Sequence, residues 1–262
     1  MGIVNVTPDS FSDGGAFFDA GVAVEHGLRL ASEGADILDV GGESTRPGAA
    51  PVPVEEELRR VVPVVRGLAA RCRLPISVDT TKAAVARAAL EAGAAIVNDV
   101  SALRFDPELG RVAAAAGAAV VLMHMQGEPR TMQQAPHYDD LLGEVRAGLA
   151  AALARAEAAG VDPARTLVDP GIGFGKTLEH NLELLRRLGE LAGLGRPLLV
   201  GPSRKAFIGK ITGLPPGERV EGTIAACCLA AANGAHVVRV HDVAAARRAL
   251  AVADAVLAGG RA

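Results

Sequence analysis

The residues best placed to do chemistry stand in the stretch Val168-Asp169-Pro170-Gly171-Ile172-Gly173-Phe174-Gly175-Lys176-Thr177. A carboxylate ends a short apolar run, and glycine then occupies every second position until a helical pattern begins at Leu178. A backbone stripped of side chains in this way lets a flat ligand lie close to the main chain. Neither common phosphate loop fits. A Walker A loop closing on Gly175-Lys176-Thr177 would need glycine where Pro170 stands. A dinucleotide fingerprint from Gly171 and Gly173 would need a third glycine at Lys176. What remains is an acid at a strand end beneath a glycine-rich rim.

Other short apolar runs end in the same way, on Asn5, Asp39, Asp79, Asn98, Met123-His124-Met125, Ser203-Arg204-Lys205 and Arg239-Val240-His241. Taken singly, each has an ordinary explanation: a strand entering a loop often ends polar, Arg239 could form a strand-end ion pair, and His241 could cap a helix beside Asp242. Together they form two sets. Asp79, Asn98 and Asp169 offer acceptors, and two buried carboxylates need hydrogen-bond donors to offset desolvation. The adjacent N–H and NH2 groups of a pterin or purine edge would supply them. Arg46, Arg239 and His241 offer cationic donors suited to phosphate or pyrophosphate, with Arg239 and His241 two apart on one strand and so on one face. Asn5 could serve a hard cation such as Mg2+ through its amide oxygen. Lys205 follows a Gly-Pro-Ser turn near a helix start, a setting that favours anions.

Positioning these residues requires a regular scaffold. Strand signals fall at 2–6, 35–40, 75–79, 95–98, 119–123, 166–169, 197–201 and 236–240, each a short apolar run of the kind buried on both faces of a parallel sheet. Helical patterns fill the intervals, ending near 33, then over 54–70, 82–91 with Thr80-Thr81 as its cap, 107–116, 140–159, 178–191, out to 232, and 243–257. Gly34, Gly93, Gly117, Gly160 and Gly234 stand where helix C-caps belong, just before the next strand. Eight such units in 262 residues with no linker predict one (β/α)8 TIM-barrel domain, α/β in class, over 1–262. The alternative is a doubly wound open sheet. In a barrel, the polar strand ends would converge on one mouth.

Composition narrows the function classes. Half the residues are hydrophobic but only 3% aromatic, so the core is aliphatic. A net charge of −3 lacks the footprint of a nucleic-acid binder. The longest apolar or glycine run, 112–123, is too short to span a membrane, and no secretory signal is visible. Cys72, Cys227 and Cys228 have no metal spacing; the adjacent pair reads as core, and a reduced, cytoplasmic setting fits. Only four of the 27 basic residues are lysines, so lysine is not the default surface filler.

Longer motifs carry a resemblance. Asn5-Val6-Thr7-Pro8-Asp9-Ser10-Phe11-Ser12-Asp13-Gly14-Gly15 and Asp39-Val40-Gly41-Gly42-Glu43-Ser44-Thr45-Arg46-Pro47-Gly48 resemble the two signature loops of the dihydropteroate synthase family. Ser77-Val78-Asp79-Thr80, Val97-Asn98-Asp99-Val100, Met123-His124-Met125-Gln126-Gly127, 169–176, Ser203-Arg204-Lys205 and Arg239-Val240-His241-Asp242 follow in the family's order. The resemblance implies a transferase of folate biosynthesis joining 6-hydroxymethyl-7,8-dihydropterin pyrophosphate to p-aminobenzoate, with Mg2+ as cofactor, and a cytoplasmic homodimer. It implies that Asp79, Asn98, Asp169 and Lys205 hold the pterin, with Val100, Met123, Gly201, Asp39 and Arg239 around it. Pyrophosphate would meet Asn5 through Mg2+, and Thr45, Arg46, Arg239 and His241 directly. The p-aminobenzoate would lie among Arg46, Pro47, Phe174 and Lys205, its carboxylate at the following helix start. The catalytic set would be Arg239, His241, Arg46, Lys205 and Asp79.

The chain departs from the family pattern at two points. Members usually carry a lead-in before the first strand, whereas Met1 directly precedes it here, and Ala206 stands where many have serine. Two other functions share part of the pattern: a pterin-binding methyltransferase using methyltetrahydrofolate, and a non-catalytic pterin- or phosphate-binding protein. The first has no use for the Thr45-Arg46-Pro47 loop and the Arg239/His241 pair, and the second has little use for Asn5 as a cation ligand.

Overall fold

The computed structural model describes residues 1–6, 20–46 and 48–259; the signature loop 7–15 and Pro47 lie outside them. Eight units follow in chain order: β1 (Gly2–Asn5) and α1 (Ala20–Ser32), β2 (Leu38–Gly41) and α2 (Val54–Arg71), β3 (Ile76–Asp79) and α3 (Ala83–Glu91), β4 (Ile96–Asp99) and α4 (Glu108–Ala115). The second half comprises β5 (Ala119–Met123) and α5 (Leu141–Ala158), β6 (Thr166–Asp169) and α6 (Leu178–Arg186), β7 (Leu199–Val200) with α7 (Ala206–Thr212) and α8 (Val220–Ala232), and β8 (Val237–Val238) with α9 (Val243–Leu257).

Strands β1 to β6 pair in parallel in chain order, and β7 pairs with β8. Parallel bridges from Val168 to Leu198 and from Gly2 to Val240 join the two sets. The Val168 N–H donates to the Pro197 carbonyl at 3.0 Å, Ile3 N–H to Val240 at 3.0 Å and Val240 N–H to Met1 at 2.9 Å. The sheet therefore closes on itself as a (β/α)8 barrel, and the open doubly wound alternative is excluded. Pro197 and Pro202, which have no N–H to give a ladder, bracket the short β7.

Closure sorts the strand residues by parity. Leu38, Val40, Val78, Val97, Val120 and Leu122 are buried against the helices. Residues of the other parity fill the barrel: Met1, Ile96, Val121 and Leu199 form a buried cluster with Ile37, Ala119, Leu167 and Val237 against it. Two residues further along their strands, the same inward parity carries Asp39, Asn98, Asp169 and Arg239. The interior is thus aliphatic below and polar at the carboxyl-terminal mouth.

Several local expectations change. Lys82, not Thr80 or Thr81, occupies the N-cap position of α3, without a side-chain cap; the Thr80 hydroxyl instead bonds Glu57 at 2.6 Å. The helix expected over 178–191 stops at Arg186 and tightens into a 3-10 segment, Leu188–Leu194, which holds two glycines of low helix propensity. Cys227 is fully buried but Cys228 only half-buried. Gly34, Gly93, Gly117, Gly160 and Gly234 all have positive φ, as C-cap glycines do.

The glycine-rich loop after β6 is held at both ends. Thr177 opens α6 through a capping box with His180. At the other end Gly171 has φ +70°, and a Cβ there would sit 2.0 Å from the His124 carbonyl oxygen. Gly117 has a similar φ of +62° but open space around it. Gly117→Ala should therefore lower the unfolding free energy by about 1 kcal/mol, the left-handed penalty alone. Gly171→Ala should cost about 3 kcal/mol, because the β6 loop must also move. Urea unfolding of both variants checks this; equal losses would show that the loop yields freely.

Candidate active site

At the mouth, one guanidinium joins two acids. Arg239 Nε donates to Asp39 Oδ2 at 2.6 Å and Nη2 to Asp79 Oδ2 at 2.8 Å. Asn98 Nδ2 donates to the same Asp39 oxygen at 3.1 Å. The residues come from β2, β3, β4 and the chain just beyond β8, so barrel closure alone brings them together. Burial works against the Arg239 charge, but Asp39 and Asp79 outweigh it and keep the group protonated. Burial pushes Asp79 up to about 7 against the pull of Arg239.

Three acceptors remain open. Asp79 Oδ1, Asn98 Oδ1 and Asp169 Oδ2 have no donor among the described residues, and their residues are 8%, 5% and 6% exposed. Asp169 Oδ1 is taken by the Gly171 N–H at 2.7 Å. Burial raises the Asp169 carboxyl, with Lys205 pulling the other way. Asp39 Oδ1 and Ser77 Oγ are buried with no partner among the described residues. On the donor side, Arg239 Nη1 is uncommitted among the described residues. Lys205 Nζ donates to the Ile172 carbonyl and lies 4.5 Å from the centroid of the Phe174 ring. Burial lowers its pKa to about 8. Val100 and Met123 form an apolar wall with Met125 and Met132, and Phe174 packs on it. Gly201 is buried beside the Arg239 stem.

Asn5 and His241 meet at one edge, the Asn5 side-chain nitrogen 3.5 Å from His241 Nε2. Ser203 Oγ lies 2.9 Å from Nδ1 and accepts the His241 N–H at 3.1 Å. The expectation that His241 is a cation needs correction. Burial, then Arg239 and Arg204, push its pKa down to about 4, leaving a neutral ring at neutral pH. Nor does it cap a helix: α9 starts at Val243, and Asp242 instead pairs with Arg204 at 2.9 and 2.5 Å. Thr45 is half-buried and Arg46 exposed on the loop after β2, with Arg46 contributing to the field at His241. Pro47, expected beside them, lies outside the described residues.

Two contributors had no role in the sequence-based site. Ser203 was visible only as part of a strand-end motif. Lys176 entered only through two rejected phosphate-loop patterns, of which it fits one and spoils the other, and through the 169–176 motif, yet it is 3% exposed and bonds the Phe174 carbonyl at 3.0 Å and His124 Nδ1 at 3.2 Å. Burial lowers its pKa to about 7. The available signal was the scarcity of lysine. Chemically, the mouth offers acceptors for a flat N–H-bearing edge beside cationic donors for an anion.

Comparison with known proteins agrees. A family model described as pterin binding enzyme matches residues 1–241. The chain is 53% identical over 257 residues to the dihydropteroate synthase of Synechocystis sp., covering 98% of this chain and 89% of that protein. The crystal structure of Yersinia pestis dihydropteroate synthase with a sulfonamide drug complex matches with TM-score 0.94 and 47% identity, over 98% of this chain and 93% of that one. Xanthomonas albilineans dihydropteroate synthase in complex with 7,8-dihydropteroate matches with TM-score 0.89 and 53% identity, over 98% and 92%. A barrel whose mouth offers these acceptors and donors, and such identity along nearly its whole length, place the chain in the pterin-binding enzyme family, among the dihydropteroate synthases.

Proposed function

We propose that the chain, as one catalytic domain over residues 1–262, joins 6-hydroxymethyl-7,8-dihydropterin pyrophosphate to p-aminobenzoate, releasing 7,8-dihydropteroate and pyrophosphate. The observation that carries this is the set of three open acceptors on Asp79, Asn98 and Asp169 beside the uncommitted Nη1 of Arg239. The relative solved with 7,8-dihydropteroate supports the product. In this assignment the ring N–H and NH2 groups of the pterin bond Asp79, Asn98 and Asp169, and Lys205 completes the contact. Val100, Met123 and Gly201 line the pocket, and Asp39 holds Arg239 from below. Pyrophosphate meets Arg239, Arg46, Thr45, His241 and Asn5. The p-aminobenzoate lies among Arg46, Pro47, Phe174 and Lys205.

The chemistry follows from charge. The C–O bond to pyrophosphate breaks as Arg239 and Arg46 neutralise the departing anion, help worth several kcal/mol of barrier in a preorganised site. His241 donates a ring N–H to the same anion. The methylene cation delocalises into the dihydropterin, and the Asp79 and Asp169 carboxylates favour its positive charge through the ring N–H groups. The aniline nitrogen attacks and loses a proton, with no covalent enzyme intermediate. Among the described residues no three His, Cys, Asp or Glu side chains gather as a metal cage. Mg2+ would be held as a partner of the leaving group, with Asn5 lending one amide oxygen, and it would neutralise pyrophosphate charge when bound. A cytoplasmic homodimer completes the proposal; exposed Leu229 on α8 and Val252 and Val256 on α9 supply apolar surface for it.

Incubating the protein with both substrates and Mg2+ should give dihydropteroate by mass, dependent on Mg2+ and suppressed by a sulfonamide; absence of product would refute the assignment. Arg239→Ala should reduce kcat by about 100-fold or more, as loss of one transition-state donor does, and a full kcat would remove Arg239 from the mechanism. Because Asp79 ionises above about 7 and Lys205 discharges above about 8, kcat/KM should rise with pH through the first value and fall through the second. Lys205→Met should keep the acid limb and lose the alkaline one, which a pH–rate profile will show.

A further inference from the structure

Loop 42–53, which carries Thr45 and Arg46, is pinched at its neck by a single lysine. Lys82 Nζ donates to the Glu43 carboxylate near the start of the loop and to the Val52 carbonyl near its end, at 2.9 Å. Glu43 Oε1 in turn accepts the Val52 N–H at 3.1 Å, so the two ends are tied directly as well. The same Nζ donates to Glu57 in the first turn of α2, and the other Glu57 oxygen accepts the hydroxyl of Thr80, the neighbour of Asp79. The loop root is flush against α2: a Cβ on Gly42 would sit 2.7 Å from Val61 and 3.1 Å from Glu57, and Arg60 donates to the Gly42 carbonyl at 2.9 Å.

These groups are withdrawn from water. The Lys82 and Glu43 side chains are each 21% exposed and Glu57 is 0% exposed. Burial raises the Glu57 carboxyl, and Lys82 is the first of the groups opposing it. A charge cluster of this kind is a poor choice for stability alone, since apolar residues of similar size stabilise as well or better. Its geometric consequence is specific. Fixing both ends of a loop removes much of its conformational freedom, and the tie runs from the Arg46 loop to the strand end bearing Asp79.

We propose that Lys82 is a positioning residue for the reaction, closing the neck of loop 42–53 and so setting where Arg46 meets substrate. This rests on the role given to Arg46 above. Lys82→Met should raise KM for p-aminobenzoate by about tenfold and also lower kcat, since Arg46 faces the departing pyrophosphate as well. Lys82→Arg, which keeps the charge and its donors, should restore most of the loss. Glu43→Gln, which keeps the side chain's size and an acceptor oxygen but removes its charge, should shift KM in the same direction by a smaller factor. A role in folding alone would lower kcat through the active fraction and leave both KM values unchanged, which would overturn the proposal. Amide hydrogen exchange over 42–53 in the same proteins separates this test from the function itself. Exchange about tenfold faster in Lys82→Met supports the clamp even if wild type makes no dihydropteroate, and unchanged exchange sinks it whatever the activity.

Discussion

The mouth of the barrel depends on the ion pairs between Arg239 and the acids Asp39 and Asp79. Two carboxylates this close in a low-dielectric interior repel one another, and withdrawing each from water costs several kcal/mol. Arg239 offsets both terms at once, and in doing so is itself immobilised. Its two bonds orient the guanidinium so that one amino group stays available at the mouth. Each acid likewise keeps one oxygen without a donor among the described residues. The arrangement is rigid yet not saturated, as a preorganised site must be.

Barrel closure makes this contact possible. Asp39 and Arg239 are 200 residues apart in sequence, and they meet because β8 returns to β1 through Val240 and Ile3. The aliphatic layer beneath, with Ile96, Val121 and Leu199, denies water access from below. Charges above it therefore act in a setting where their interactions are strong.

The loops around the mouth are tied by buried and half-buried cations. Lys82 gathers the ends of the loop after β2. Lys176 holds the Phe174 carbonyl in the loop after β6, and Lys205 joins the turn after β7 to the Ile172 carbonyl. These are three of the four lysines in the chain. A flexible ammonium with three donors can bind carbonyls in several directions, which a planar guanidinium does less readily.

Much of this was legible in sequence, because strand and helix periods and the polar strand ends are local signals. Asp79, Asn98, Asp169 and Arg239 could be named as one group from their places after apolar runs, and the long loop motifs pointed to a family. Pairing was not legible. That Arg239 would bind Asp39 and Asp79, that His241 would be neutral, and that Thr80 would serve Glu57 instead of capping α3 all depend on distance and burial. Sequence by itself determined the residue types, their order and the eight-fold alternation. Tertiary structure decided which groups share a proton or a charge, since desolvation and Coulomb energies are set by the closed barrel and not by neighbours along the chain.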